Sequence, residues 1–197
     1  MAKKKSSVME NLNIYTMDDL LKKHFPTKIT QAKDTLGEVS DDYVISILRH
    51  FNWQTEKVND QWFDKMDKLI LEIGLEYDKS LNQKYPAITS ALKENNNNCD
   101  IVWGDEFDPK DKELKAVWLS CGHQFSAMSW AEYLKEKVRT QGAACVFTKC
   151  IQQRCNVVVP HSFFLEHLPE GLQDVTDDKG KVSKFDFKAK YLQWHCK

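Results

Sequence analysis

The chain has 197 residues, 42% hydrophobic and 29% charged, and its 28 Lys and Arg against 29 Asp and Glu leave a formal net charge of −1. That length fits one ordinary domain or two small ones. With no basic excess to release counterions from a phosphate backbone, nucleic-acid binding by bulk electrostatics is excluded. A mean hydropathy of −0.56, with no apolar run near the roughly 20 residues of a spanning helix, excludes a membrane bundle.

Residues 1–15 read as a polar lead carrying Lys3, Lys4 and Lys5, without the apolar stretch of a secretory signal. The six cysteines are therefore expected as thiols or metal ligands before disulfides, in a reducing compartment. Short apolar-periodic stretches follow over 17–25 and 29–36, broken at Pro26 and Gly37. The clearest helix begins after Ser40, a favourable N-cap with Asp41 and Asp42 in the first turn, and Val44, Ile47, Leu48 and Phe51 form one apolar face. A further helix, capped by Thr55, runs to Gly74 with Val58, Trp62, Phe63, Met66, Leu69, Ile70 and Ile73 as its stripe. These helices, over 16–75, predict a small bundle.

Residues 76–98 read as a linker, interrupted by Pro86 and ending in the Asn95–Asn98 run. Beyond it the elements are mixed. Residues 116–120 and 156–159 read as strands. Residues 129–138 read as a helix burying Trp130, Tyr133, Leu134 and Val138. Residues 174–181 read as a polar loop, and 183–197 as a helix with Phe185, Leu192 and Trp194 as its apolar residues. The expected class is α+β: a helical bundle, then a small cysteine-bearing domain over 99–170, then a loop and C-terminal helix over 171–197.

All six cysteines lie at or after position 99. Cys121-Gly-His123 follows a predicted strand, and Cys150-Ile-Gln-Gln-Arg-Cys155 precedes another. Three thiolates and an imidazole make a complete tetrahedral set for one zinc ion, which favours mixed sulfur and nitrogen ligands. Small buried cysteines beside a surface histidine are the competing reading. Cys145 and Cys150 form a second Cys-x4-Cys pair. His24, His50, His161, His167 and His195 are read as surface or packing histidines, and Cys99, Cys145 and Cys196 have no assigned role.

Three segments carry a more specific resemblance: Cys99-Asp-Ile-Val-Trp-Gly-Asp, Leu119-Ser-Cys-Gly-His-Gln-Phe-Ser-Ala-Met-Ser-Trp, and Lys149-Cys-Ile-Gln-Gln-Arg-Cys-Asn-Val-Val-Val-Pro. Together they resemble the first RING of Ariadne-type RING-between-RING ubiquitin ligases. Ala32-Lys-Asp-Thr-Leu-Gly-Glu-Val-Ser and Ile47-Leu-Arg-His-Phe-Asn-Trp are similar to the ubiquitin-associated-like domain that precedes it. The resemblance implies four ligand pairs interleaved into two zinc sites. The second and fourth pairs are Cys121 with His123 and Cys150 with Cys155, the latter preferred over Cys145 because Asn156-Val-Val-Val follows as the family's strand does. The first and third pairs fall on Cys99 with Val102 and Ser126 with Ser129, so that site is read as degenerate.

The family docks a ubiquitin-conjugating enzyme on this RING and accepts ubiquitin on a cysteine of a later one. Ile101, Trp103 and Trp130 are candidate contacts for the conjugating enzyme. Leu48, Phe51 and Trp53 are candidates for ubiquitin or a ubiquitin-like modifier, with core packing as the competing role. No later RING lies in this sequence, and with one metal site emptied the expectation is a non-enzymatic, ligase-derived structural subunit held among the proteins of a large complex. An adaptor for ubiquitin, a ubiquitin-like modifier or a conjugating enzyme is the second reading, and a fragment of an active ligase the third. The expected location is cytoplasmic or cytoskeletal, with a mitochondrial or ciliary address left open by the lysine run.

Overall fold

A computed structural model describes residues 15–76, 116–177 and 179–196. Four helices come first. Helix α1 (Met17–Asp19), capped by the Thr16 side chain, passes through a π-helical turn over Leu20–His24 into α2 (Phe25–Leu36). The predicted break at Pro26 is absent, because the π turn changes the register: Phe25 N–H donates to Leu20 O, and the helix passes the proline that lacks a donor. Gly37, at φ +80, ends the run as expected.

Helix α3 (Asp41–His50) starts where Ser40 Oγ accepts from Tyr43 N–H at 3.3 Å. In helix α4 (Thr55–Ile73) the N-cap position falls on Gln54 rather than Thr55, with no side-chain cap hydrogen bond, and Gly74 ends the helix in the left-handed conformation at φ +86. Its buried stripe is narrower than the sequence suggested. Val58, Trp62, Leu69 and Ile73 are buried, whereas Phe63 is 74% exposed and Met66 43%. One residue past Trp62 turns a side chain about 100° round the helix, so Phe63 leaves the packed face. Ala32, Val44, Ile47, Leu48 and Phe51 close a first core with the α4 stripe.

The second unit begins with β1 (Ala116–Trp118) antiparallel to β2 (Gln124–Ser126), Val117 opposite Phe125. Helix α5 (Ala127–Gln141) leads into a 3₁₀ turn (Gly142–Phe147). The strand expected at 156–159 is a short ribbon, with Cys150 N–H donating to Val157 O, Val159 N–H to Thr148 O and a single bridge between Lys149 and Val158. Helix α6 (His161–His167) was not anticipated.

Two further expectations need correction. The polar loop at 174–181 is the centre of a hairpin, β3 (Gln173–Thr176) paired with β4 (Val182–Phe185). The last helix, α7 (Phe187–His195), is shorter than predicted, and its buried positions are Phe187, Tyr191 and His195. Those sit four residues apart on one face, whereas Leu192 and Trp194 lie at its flank and are only partly buried. Trp130, Leu134, Val138, Phe164 and Tyr191 form the second core.

The two units are packed together. Gly74 O accepts from Val158 N–H at 2.9 Å, and Asn156 Nδ2 donates to Leu71 O and Glu76 O at 3.2 and 2.9 Å. Ser162 donates through its N–H (2.8 Å) and its hydroxyl to the Asp42 carboxylate.

Candidate metal centre

Two tight loops build the centre. Residues 119–123 join β1 to β2, with Gly122 at φ +77 and its N–H bonded to Leu119 O at 2.9 Å. This turn throws Cys121 and His123 to the same side of the hairpin tip. The second loop, 150–155, is closed at its base by the ribbon and turned by Arg154 at φ +64, with Cys155 N–H on Gln152 O at 3.1 Å. The spacings Cys-x-His and Cys-x4-Cys are those of two short turns presenting ligands from opposite directions.

The ligand atoms of Cys121, His123, Cys150 and Cys155 all lie within 4.8 Å of one another. Cys121 Sγ is 3.7 Å from Cys150 Sγ, and Cys150 Sγ is 3.8 Å from His123 Nδ1. Sulfurs about 2.3 Å from a tetrahedral zinc stand roughly 3.8 Å apart, so the cage already has zinc's dimensions. His123, Cys150 and Cys155 are buried, and Cys121 is half-buried. Cys145, the competing partner for Cys150, is fully buried in the 3₁₀ turn and outside the set.

In the metal-free protein these sulfurs share their charge unequally. The hydrogen bond from Cys121, and then that from Cys150 and the Val157 N–H, holds Cys155 far below the ordinary thiol range. Hydrogen bonding to Cys121, then to Cys155, and burial push Cys150 up. Cys121 is also pushed up, to about 11, so two of the three sulfurs keep their protons near neutral pH. Zinc requires all three deprotonated, so loading is expected to release about two protons per ion near neutral pH. Calorimetry of zinc binding in buffers of different ionisation enthalpy measures this, and zero release would mean that the thiols ionise before the metal arrives. A set of four protein ligands leaves no open position, which is the pattern of a structural ion rather than a catalytic one.

The other proposed site residues are placed as follows. Cys99, Ile101, Val102 and Trp103 lie outside the described residues. Ser126 caps α5: its Oγ accepts from Ser129 N–H at 3.0 Å and donates to Ser129 Oγ at 2.9 Å. Both hydroxyls are thereby engaged in a helix terminus. Trp130 is fully buried with Nε1 donating to Val117 O at 3.1 Å, so it offers no surface to a partner. Leu48 and Phe51 are buried in the helical core. Trp53, at φ +59, stacks on Phe25 at 3.8 Å between ring centroids and meets His195 edge-on at 5.4 Å, against the second unit. Leu48 and Phe51 are thus covered by the core, while Trp53 is half-buried. Exposed apolar residues near the metal loops in sequence include Trp118 at 55%, Met128 at 52% and Phe147 at 49%. Trp118 lies three residues before Cys121, but its exposure depends on strand register, which the sequence did not reveal.

No family model matches the chain. Similarity to individual proteins is extensive. Probable E3 ubiquitin-protein ligase rbrA of Dictyostelium discoideum is 26% identical over 155 residues, 79% of this chain and 28% of that protein. Probable E3 ubiquitin-protein ligase ARI7 of Arabidopsis thaliana is 22% identical over 184 residues, 93% of this chain and 27% of its own length. E3 ubiquitin-protein ligase HEL1 of Saccharomyces cerevisiae is 30% identical over 95 residues, 48% of this chain and 17% of its own. The similarity is to Ariadne-type ubiquitin ligases. It overturns one expectation: the relatives named are all ligases, hence enzymes, and the non-enzyme reading is withdrawn. That reading took the emptied ligand pairs as loss of activity, although one of those pairs, Cys99 with Val102, lies outside the described residues. The chain spans about a quarter of the length of the first relatives it matches.

Proposed function

We infer that this chain is the zinc-stabilised docking portion of a ubiquitin-transfer apparatus, binding a ubiquitin-conjugating enzyme and presenting it for ligation. The observation that carries this is the zinc-sized Cys121, His123, Cys150 and Cys155 set, in a chain whose relatives are named as ubiquitin ligases. The metal would hold the two ligand loops in place when bound. The chain's own part is to offer side chains beside those loops, and Trp118 and Met128 are apolar and open to solvent there. Exposed aromatic anchors of this kind typically dominate protein interfaces.

Titrating the zinc-loaded chain with ubiquitin-conjugating enzymes by calorimetry tests the reading. Saturable binding is expected, with Trp118→Ala weakening it tenfold or more, about 1.4 kcal/mol. No binding across a panel of conjugating enzymes, charged and uncharged, would refute it. A subunit role within a larger complex is compatible with this docking role and would place the ligand loops against a neighbouring protein.

A further inference from the structure

Arg49 is the most deeply buried charge among the described residues, 4% exposed, although it lies on the helix that faces the second unit. Its Nε donates to His195 Nδ1 at 3.2 Å, Nη1 to Val146 O at 3.1 Å and Nη2 to Tyr191 Oη at 2.7 Å. Nη2 also stands 2.9 Å from His195 Nδ1 and 3.2 Å from His161 Nδ1. The two imidazoles stack at 4.3 Å between centroids, and His161 Nδ1 is 2.9 Å from Tyr191 Oη. A residue of α3 is thus held by α6, α7 and the 3₁₀ turn together.

Among the described residues no carboxylate hydrogen-bonds to this guanidinium. The groups facing the cluster are Asp42 from α3, Cys145 from the 3₁₀ turn, and Tyr191 from α7, with Phe25 and Trp53 covering His195, while His50 of α3, Glu72 of α4 and Lys149 line a small cavity that Arg49 and Val146 also border. Asp42 is occupied by Ser162. Cys145 is itself pushed up to about 11 by burial, so it stays a neutral thiol near pH 7. Arginine keeps its charge at any relevant pH and is only a donor. Its buried charge is therefore solvated by neutral acceptors, two of which exist only while the imidazoles are unprotonated at Nδ1.

We propose that Arg49, His161, Tyr191 and His195 form a proton-sensitive lock between the two units, closed while both imidazoles are neutral and released when they take up protons, freeing α7 from α3. Protonation converts each acceptor into a donor facing a donor and sets a second cation against the first. Burial, and then Arg49, depress His161 to about 4 and His195 to about 2. Because the closed-state values are depressed, the stabilisation is complete above the ordinary histidine range and is lost as pH falls. With open-state values near ~6.5, the ratio of open to closed chains rises ~10-fold per histidine at pH ~5.5, about 100-fold for the pair. The lock needs neither the conjugating enzyme nor the docking role inferred above.

Nuclear magnetic resonance on the full zinc-loaded chain tests it, following the imidazole nitrogens, the Trp53 indole N–H and the relative orientation of α3 and α7 from residual dipolar couplings. Both histidines should stay neutral well below ~6.5 and then titrate together with a change in the α3 to α7 orientation. The variant H161N/H195N retains an acceptor near each Nδ1 without a titrating group. It should keep the neutral-pH orientation and lose the acid transition. Arg49→Met should return the histidines towards ordinary values and loosen α7 at neutral pH. A zinc-responsive dye read in parallel separates this event from metal loss. The lock is overturned if either imidazole titrates near ~6.5 with the orientation unchanged, or if H161N/H195N opens with acid as the parent does, in step with zinc release.

Discussion

Replacing Cys155 with alanine is expected to abolish stoichiometric zinc binding and to unfold the second unit, while Cys145→Ala leaves zinc content intact. Cys155 is one of the four ligands and its thiol is held well below the ordinary range, so its loss removes a ligand and the sulfur of the set that ionises most readily. Structural zinc contributes on the order of 10 kcal/mol to small zinc-dependent folds, comparable to the whole stability of a domain. The second core is arranged around the ligand loops, with Cys150 and Cys155 themselves among its buried members. Without the metal, loops 119–123 and 150–155 lose their common anchor. The midpoint of thermal unfolding should fall by more than about 10 °C, given ~2–4 °C per kcal/mol at this chain length. Cys145 is fully buried but outside the cage, so its removal costs a small cavity and a few degrees. Elemental analysis and melting curves on the three proteins decide the matter. Normal zinc content in Cys155→Ala, or its loss in Cys145→Ala, would transfer the fourth ligand to the other Cys-x4-Cys pair.

The contrast between those two cysteines shows what was legible in the sequence. The ligand set was readable because its chemistry is local: each pair is one short turn, and the turn residues stand between the ligands. Helix α3 was readable for the same reason, since Ser40 and the spacing of Val44, Ile47, Leu48 and Phe51 fix both its start and its face. The hairpin at 173–185 was not, because β3 and β4 bury little and show no apolar alternation. Its signal was Asp177, whose side chain accepts the N–H groups of Lys179 and Lys181 at 2.9 Å each and so shapes the turn. Arg49 left no trace either, since the atoms that satisfy it lie 97 to 146 positions away. Of the histidines read as surface or packing residues, His161 and His195 meet the Arg49 guanidinium, a contact visible only in the fold. Exposure was the weakest inference. Phe63 was assigned to the wrong side of the surface, since periodicity identifies a stripe but not its edges, whereas the helix reading that buried Trp130 agrees with the structure and the partner contact suggested for it does not.

Gly74→Ala should separate the two units, and it carries the largest expected effect of any single methyl group in the interface. At Gly74 a Cβ would stand 2.0 Å from Asn156 O and 3.0 Å from Val158 N, both backbone atoms of the ribbon that follows Cys155. Neither can swing aside as a side-chain end would. The same residue has φ +86 and supplies the carbonyl that Val158 N–H uses, so relief by moving the backbone breaks that bond and displaces Asn156 from Leu71 and Glu76. The left-handed conformation alone costs a non-glycine residue about 1–2 kcal/mol. Overpacking against fixed atoms adds typically 1–3 kcal/mol, for a total of about 2–5 kcal/mol. Gly180→Ala is the matched control: it shares a positive φ, +77, but has nothing within 4 Å of the added methyl. Its cost should stop at the conformational penalty. Denaturant melts of both variants, with zinc content recorded, give the difference, which measures how tightly helix α4 is seated on the metal-bearing ribbon. If the two substitutions cost the same, the units are not in the contact described, and whatever partner the helical unit binds could act on it without disturbing the metal centre.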